Sequence, residues 1–250
     1  MISFVVQARS SSTRMPNKIM LPFYKGKSIL DLLIEKLSEV ENTNIIIATS
    51  VNPNCDVIEE VAKIHGVSCF RGSENDVLQR FIDAAEYYHV GKIIRVCSDN
   101  PFLELDSINK LVAYADNEGN TSDYISFKIN GIPSIKTHFG FWTEYVTLKA
   151  LKRVRQYTNE NLYHEHVTNY IYANPDKFKI DWIEGPAIIN AHPDIRLTID
   201  TQEDFRNAQA IYANLCQKNQ FPLITDVVDF LDRHQDYYIS MKHQIEKNTK

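Results

Sequence analysis

The segment Gln7-Ala8-Arg9-Ser10-Ser11-Ser12-Thr13-Arg14-Met15-Pro16-Asn17-Lys18 sets three cations, Arg9, Arg14 and Lys18, among four hydroxyls and no carboxylate. Arg offers a fork of donors, Lys a compact charge, and Ser, Thr and backbone amides offer neutral donors. That set suits a polyphosphate; on composition alone it equally suits a basic loop in water. Two further segments carry acid. Arg95-Val96-Cys97-Ser98-Asp99-Asn100-Pro101 presents Asp99, and Leu197-Thr198-Ile199-Asp200-Thr201 runs into Thr201-Gln202-Glu203-Asp204. Two aspartates at two strand ends can hold a hard cation, and Mg²⁺ takes one or two carboxylates completed by phosphate oxygens. Taken alone, Asp200 reads first as a helix N-cap.

Two other patterns dissolve on inspection. Gly26-Lys27-Ser28 ends like a Walker A loop, but the required first glycine is Leu21 and Pro22 falls inside the turn. Ser28 reads instead as a helix N-cap. His164-Glu165-His166 suggests a metal pair, yet helix positions i and i+2 point about 200° apart. HExxH would need histidine at Thr168. No GxGxxG follows the first strand, which argues against a dinucleotide site.

The elements that must carry these residues alternate. Ile2–Val6, Asn44–Ala48, Val67–Phe70 and Lys92–Cys97 read as buried strands. Between them lie helical stripes: Leu30, Leu33, Ile34 and Leu37; Val57, Ile58, Val61 and Ile64; Val77, Leu78, Phe81, Ala84 and Ala85. Strands alternating with helices of about a dozen residues predict βαβ units and a parallel sheet. The loops after the first and fourth strands then face one crevice, where open α/β sheets bind ligands. Residues 122–143 read as extended, with a turn at Gly131-Ile132-Pro133. Helical patterns return over 144–156 and 160–173, strand-like runs at Phe178–Ile183 and Ile195–Ile199, and a mainly helical tail over 224–246. The division is a main domain over 1–215, an embedded insertion over about 128–180, and a C-terminal tail over 216–250.

Composition narrows the classes. The chain has 250 residues, 44% hydrophobic and 24% charged, with a net charge of −5. This is ordinary globular make-up and speaks against a broadly basic nucleic-acid binder. Cys55, Cys69, Cys97 and Cys216 form no CxxC pair and read as free thiols of a reduced cytosol. No apolar run approaches a membrane span and no leader pattern opens the chain, so a cytoplasmic protein is expected.

In these blocks the chain resembles the cytidylyltransferases that activate sugar acids. The likeness is to the spore-coat polysaccharide biosynthesis type, related to acylneuraminate and 3-deoxy-manno-octulosonate cytidylyltransferases. Gln7-Ala8-Arg9, Ser12-Thr13-Arg14-Met15-Pro16 and Lys18 are similar to the family's QARxxSTRLPGK. Gly72 to Phe81, Ser98-Asp99-Asn100-Pro101, Glu165-His166-Val167-Thr168 and Leu197 to Thr201 are similar to four later blocks in the same order. The likeness spans residues 1 to about 215. Ser11 and Asn17 stand where glycine is usual, and Trp142 where an acid is common.

The resemblance implies a Rossmann-like, GT-A-like nucleotidyltransferase fold: a three-layer α/β sandwich with a mostly parallel sheet. It implies transfer from CTP to a sugar acid, giving a CMP-sugar and pyrophosphate for surface polysaccharide or glycoconjugate synthesis, in a homodimer. Lys18, Arg14, Asp99 and Asp200 are the catalytic candidates, with Asp99 and Asp200 holding Mg²⁺. Gln7, Ala8, Arg9, Ser12, Thr13, Arg14, Lys18 and Ser98 are nucleotide contacts. Arg71 and Arg80 join them or serve as helix-face arginines. Glu144, His164 and His166, near Phe139, Phe141, Trp142 and Tyr163, are the acceptor candidates, or the aromatics are core and the histidines an interface feature. Two other readings are weighed. One is a glycosyltransferase using a nucleotide sugar, against which Asp99-Asn100-Pro101 lacks a DxD metal motif. The other is a non-catalytic nucleotide-binding relative, against which Lys18, Asp99 and Asp200 all remain.

Overall fold

Alternation of apolar side chains sets the two faces of the central sheet. In β1 (Ile2–Gln7), Phe4 and Val6 enter one buried cluster and Val5 enters another, as the two-residue period of a strand requires. The computed structural model describes residues 1–11, 14–217 and 220–248. The chain then adds a ribbon of β2 (Pro22–Tyr24) and β3 (Lys27–Ser28), followed by α1 (Ile29–Ser38). Ser28 caps α1 as expected, in a reciprocal box with Asp31. Next come β4 (Thr43–Ser50), α2 (Asp56–Ile64), β5 (Ser68–Gly72), α3 (Val77–Tyr87), β6 (Lys92–Cys97) and α4 (Leu105–Asp116). β1 pairs in parallel with β4 and β6, and β4 with β5.

The second half extends the same sheet. β7 (Tyr124–Ile129) turns into β8 (Ile132–Pro133) through Asn130-Gly131, both at positive φ, +50° and +79°. This is the two-residue hairpin geometry that Asn-Gly favours, so the turn lies one residue earlier than Gly131-Ile132-Pro133 suggests. β9 (Glu144–Thr147) then slots antiparallel between β6 and β7, and β10 (Ile180–Glu184) pairs in parallel with β7. The order is β10-β7-β9-β6-β1-β4-β5. The helical pattern expected from residue 144 therefore begins as a strand. Tyr145 and Val146 are buried on opposite faces of the sheet, and helix starts only at α5 (Leu148–Tyr157), capped by Thr147.

Residues 160–173 likewise break into α6 (Asn161–Glu165) and α7 (Asn169–Ala173). Ile195–Ile199 is extended but joins no ladder: the Leu197 and Thr198 amides share the His138 carbonyl, and the Ile199 amide reaches the Asp99 carbonyl. α8 (Gln202–Leu215), α9 (Ile224–Arg233) and α10 (Gln235–Asn248) complete the chain. α1, α4, α8 and α9 cover one face of the sheet; α3, α5 and α7 cover the other. This is the expected sandwich with a mostly parallel sheet. Among the described residues, no helix is long and apolar enough to cross a membrane.

Candidate active site

The loops following β1 and β6 open into a cavity of about 620 Å³. Its remaining walls are the 134–142 segment, the α6–α7 corner and Thr198 with Asp200. Backbone bonds hold the first loop to this shape. The Asn17 amide donates to the Ser10 carbonyl, and Asn17 adopts φ +57°. Asn is among the few side chains that accept this left-handed conformation without large strain, which reconciles it with the glycine usual there.

One end of the cavity is ionic. Lys18 Nζ lies 3.1 Å from Asp99 Oδ2 and 3.8 Å from Asp200 Oδ1, and it donates to the Ile199 carbonyl. Arg14 reaches Asp200 Oδ1 at 3.0 Å. Asp200 is not the helix cap. Thr201 caps α8 in a reciprocal box with Asp204, which leaves the Asp200 carboxylate to the cavity. Arg196 fixes both acids, bonding Asp204 at 2.8 and 3.0 Å and Asp200 Oδ2 at 3.0 Å. Burial pushes the Asp204 pKa upward, but the Arg196 bonds outweigh it and hold the carboxyl below its usual range. The His138 Nδ1 accepts from Arg196 at 2.9 Å. Burial and the neighbouring guanidinium lower the imidazole pKa. Ser98 donates to the Gln7 carbonyl at 2.7 Å, tying the two loops. Arg9 lies at the rim, 3.5 Å from Glu165 across the opening.

The other end rests on a buried pair. Arg95 Nη1 bonds Glu144 Oε2 at 2.7 Å, with side chains 7% and 3% exposed. Glu144 also accepts from Tyr124 and from Thr168 at 3.1 Å; Arg95 Nη2 donates to Gln7 Oε1 at 3.1 Å. Desolvation works against the Arg95 charge, but negative charge on Cys97 in its thiolate form and on the hydrogen-bonded Glu144 carboxylate overcomes it, so its pKa rises. Burial pushes the Cys97 thiol up to about 11. Above this pair the wall is formed by Trp142, His166, Asn169, Tyr172 and Lys136. Lys136 Nζ sits 5.0 Å from the centre of the Tyr172 ring.

The structure gathers Gln7, Arg9, Arg14, Lys18, Ser98, Asp99, Asp200 and His166 at one cavity. Ala8 is buried at the end of β1, and Ser12 and Thr13 lie outside the described residues. Besides Ala8, four expected contacts do not line the cavity. Glu144 lies beneath its wall, spent on Arg95, Tyr124 and Thr168. His164 is buried between Asp76, at 2.8 Å, and the Thr158 carbonyl, tying α6 to the start of α3. Arg71 is held outside by Asp56 and Glu59, at 2.7 and 2.8 Å. Arg80 is fully buried, bonded to the Ser73 and Glu74 carbonyls. Burial and the nearby Arg9 bring its pKa to about 10. Of the aromatics, Phe139 and Phe141 are core and Tyr163 packs edge-on to Tyr170; only Trp142 reaches the cavity.

Sequence reasoning missed Arg95, Arg196 and Lys136. The first two had a signal: each is a lone charge inside an apolar run, Ile93-Ile94-Arg95-Val96 and Ile195-Arg196-Leu197, and such a charge needs a partner. Lys136 had none.

Known proteins resemble this arrangement over most of its length. The spore coat polysaccharide biosynthesis protein SpsF of Bacillus subtilis is 30% identical over 240 residues, covering 94% of this chain and 95% of that one. A cytidylyltransferase structure from Leptospira borgpetersenii superposes with a TM-score of 0.83 at 28% identity, covering 95% and 96%. The CMP:2-keto-3-deoxy-manno-octonic acid synthetase, solved with CTP, shares the fold at a TM-score of 0.65 and 14% identity, over 85% and 98%. The cytidylyltransferase family model matches residues 3–241, and the chain, an enzyme of the nucleotidyltransferase type, belongs to that family.

Proposed function

We propose that the protein transfers a cytidylyl group from CTP to a hydroxyl of a sugar acid, giving a CMP-sugar and pyrophosphate. The observation that carries this reading is Lys18 between Asp99 and Asp200, at 3.1 and 3.8 Å, with Arg14 on Asp200. An all-oxygen carboxylate pair facing one cation, beside further cations whose exposed carboxylate partners can be exchanged for a polyanion, fits a metal–triphosphate complex. Among the described residues no cage of three or more His, Cys, Asp or Glu is gathered, so phosphate oxygens and water would complete the coordination. Asp99 and Asp200 would hold Mg²⁺, which supplies positive charge to phosphate oxygens and acidifies a bound hydroxyl.

The chain's own residues do the rest. Arg9, Arg14 and Lys18 take the triphosphate, exchanging their present carboxylate partners for phosphate oxygens. The acceptor hydroxyl gives up its proton to water as its oxygen attacks the α-phosphorus, the bond to the bridging oxygen breaks, and pyrophosphate leaves with the electron pair. The three cations offset the charge developing on that leaving group. His166, Asn169 and Trp142 bind the acceptor, Trp142 offering a ring face to the apolar side of a sugar. A homodimer through residues 128–180 belongs to this reading; Ile132 and Leu162 there keep half their surface exposed.

Calorimetry with Mg²⁺ tests the nucleotide, and pyrophosphate release with a panel of sugar acids tests the acceptor. CTP should bind at least about tenfold more tightly than ATP, GTP or UTP, a difference of about 1.4 kcal/mol. Equal or tighter binding of a purine nucleotide would remove the cytidylyl assignment and leave nucleotidyl transfer standing.

A further inference from the structure

Lys36 is 1% exposed on α1, and the chemistry above leaves it unused. The core-facing positions around it, Leu30, Leu33, Ile34 and Leu37, are all apolar. Its ammonium donates to the Pro101 carbonyl at 3.0 Å and to the Leu103 carbonyl at 2.6 Å, and lies 5.9 Å from the Phe221 ring centre. Among the described residues it forms no direct ion pair. Burial lowers its pKa to about 8, with Cys216 and Glu104 pulling the other way. A buried cation with no direct ion-pair partner, here offset only at longer range by Glu104, is costly in a protein interior. A methionine would fill the same space without that cost. What methionine cannot supply is a set of donors for two buried carbonyls, which a folded chain seldom leaves unpaired.

Both carbonyls belong to the turn that follows Asp99. The same turn is tied by Leu103 N to the Asn100 carbonyl and by Glu104 N to the Phe141 carbonyl, and the Asp99 carbonyl accepts from Ile199 N at 3.0 Å. The ammonium therefore holds the short stretch that directly follows Asp99, the residue that meets Lys18. We infer that Lys36 is a positioning residue for Asp99: by drawing the Pro101 and Leu103 carbonyls onto one buried ammonium, it sets the direction in which the Asp99 carboxylate enters the cavity. It thereby sets the affinity of the carboxylate pair for a divalent cation. This rests on the metal-binding role proposed for Asp99 and Asp200.

The test is Mn²⁺ binding, followed by electron paramagnetic resonance, to the full-length protein saturated with CTP. A protein-free titration corrects for Mn²⁺ held by CTP alone. Wild type, Lys36→Met, Asp99→Asn and the double variant are compared. Lys36→Met should stay folded but melt several degrees below wild type, because the Pro101 and Leu103 carbonyls lose their donor, and it should keep its metal-free CTP affinity. Its CTP complex should bind Mn²⁺ about tenfold more weakly. Asp99→Asn should lose at least as much, and the double variant no more than Asp99→Asn alone, because Lys36 acts through that carboxylate. Unchanged Mn²⁺ affinity in a folded Lys36→Met, or losses that add in the double variant, overturns the assignment. Should Lys36→Met fail to fold, Lys36→Gln, whose amide is one bond shorter and cannot hold both carbonyls where the ammonium does, takes its place in the same cycle with the same expected loss of Mn²⁺ affinity. Wild type that binds no Mn²⁺ with CTP overturns the metal reading itself; wild type that binds while Lys36→Met is unaffected removes only Lys36.

Discussion

The two ends of the cavity use ion pairs for opposite purposes. At the nucleotide end Lys18 is only 11% exposed, but its neighbours are wet: the Arg14 side chain is 55% exposed, Asp99 27% and Asp200 25%. Such contacts are worth little and break readily, so these cations can leave their carboxylates when a triphosphate arrives. At the acceptor end Arg95, itself part of the cavity wall, and Glu144 beneath it are almost wholly buried. Neither can leave without stranding the other in the interior. A charge in the wall of a site is therefore a contact residue only where its present partner is dispensable. By that measure Glu144, expected as an acceptor ligand, is scaffold.

Removing half of the sealed pair gives the largest expected effect. Arg95→Leu should destabilise the protein by about 3–5 kcal/mol, because Glu144 is left buried without its counter-charge. Urea unfolding measures it, and adding Glu144→Gln should return part of the loss. A loss under about 1 kcal/mol would make the two ends alike.

At the wet end the same kind of change should spare the fold and strike turnover. Asp99→Asn and Asp200→Asn should each reduce turnover at least about a hundredfold, a barrier increase of about 2.7 kcal/mol. Pyrophosphate release at limiting Mg²⁺ measures it. Near-normal turnover in either variant would make that aspartate a surface residue.

His166 sharpens the comparison at the acceptor end, since it lines the cavity without a place in the buried pair. His166→Ala should raise the acceptor KM about tenfold, about 1.4 kcal/mol of binding, with CTP affinity intact. A fall in dimer content with unchanged kinetics per dimer would move it to an interface.

The smallest effect concerns His138, which links Arg196 to the wet end. Its folded pKa is lowered, so below the usual value of 6.5 the unfolded chain takes up a proton that the folded chain does not. That contribution to stability is present above pH 6.5 and is lost as the pH falls below it. Between pH 7 and 5 the wild type should lose slightly more stability than His138→Gln. Parallel denaturation midpoints for the two proteins would discount it.

The wet end was legible because its residues are local, two of its three blocks following strands β1 and β6 and the third preceding α8. Arg9 to Lys18, Ser98-Asp99 and Asp200 each lie in one short block, and a parallel sheet directs such blocks to one edge. The sealed end was not, because its partners meet only through pairing. Arg95 finds Glu144 because β9 runs antiparallel beside β6 in that register, and β9 itself reads as the start of a helix. His164 shows the same limit at short range. It is two residues from His166, yet α6 turns it toward Asp76 while His166 meets the cavity.

The position of β9 also bears on the order in which the molecule is made. β1, β4, β5 and β6 are complete once residue 97 has been synthesised, and each has a neighbour in that set. The far side of β6 has none until residues 144–147 follow. An unpaired strand edge is a template for the wrong partner, and closing it requires a contact distant along the chain, which is slow to form. The strand that buries Glu144 against Arg95 is thus also the one whose late arrival covers the open edge of β6.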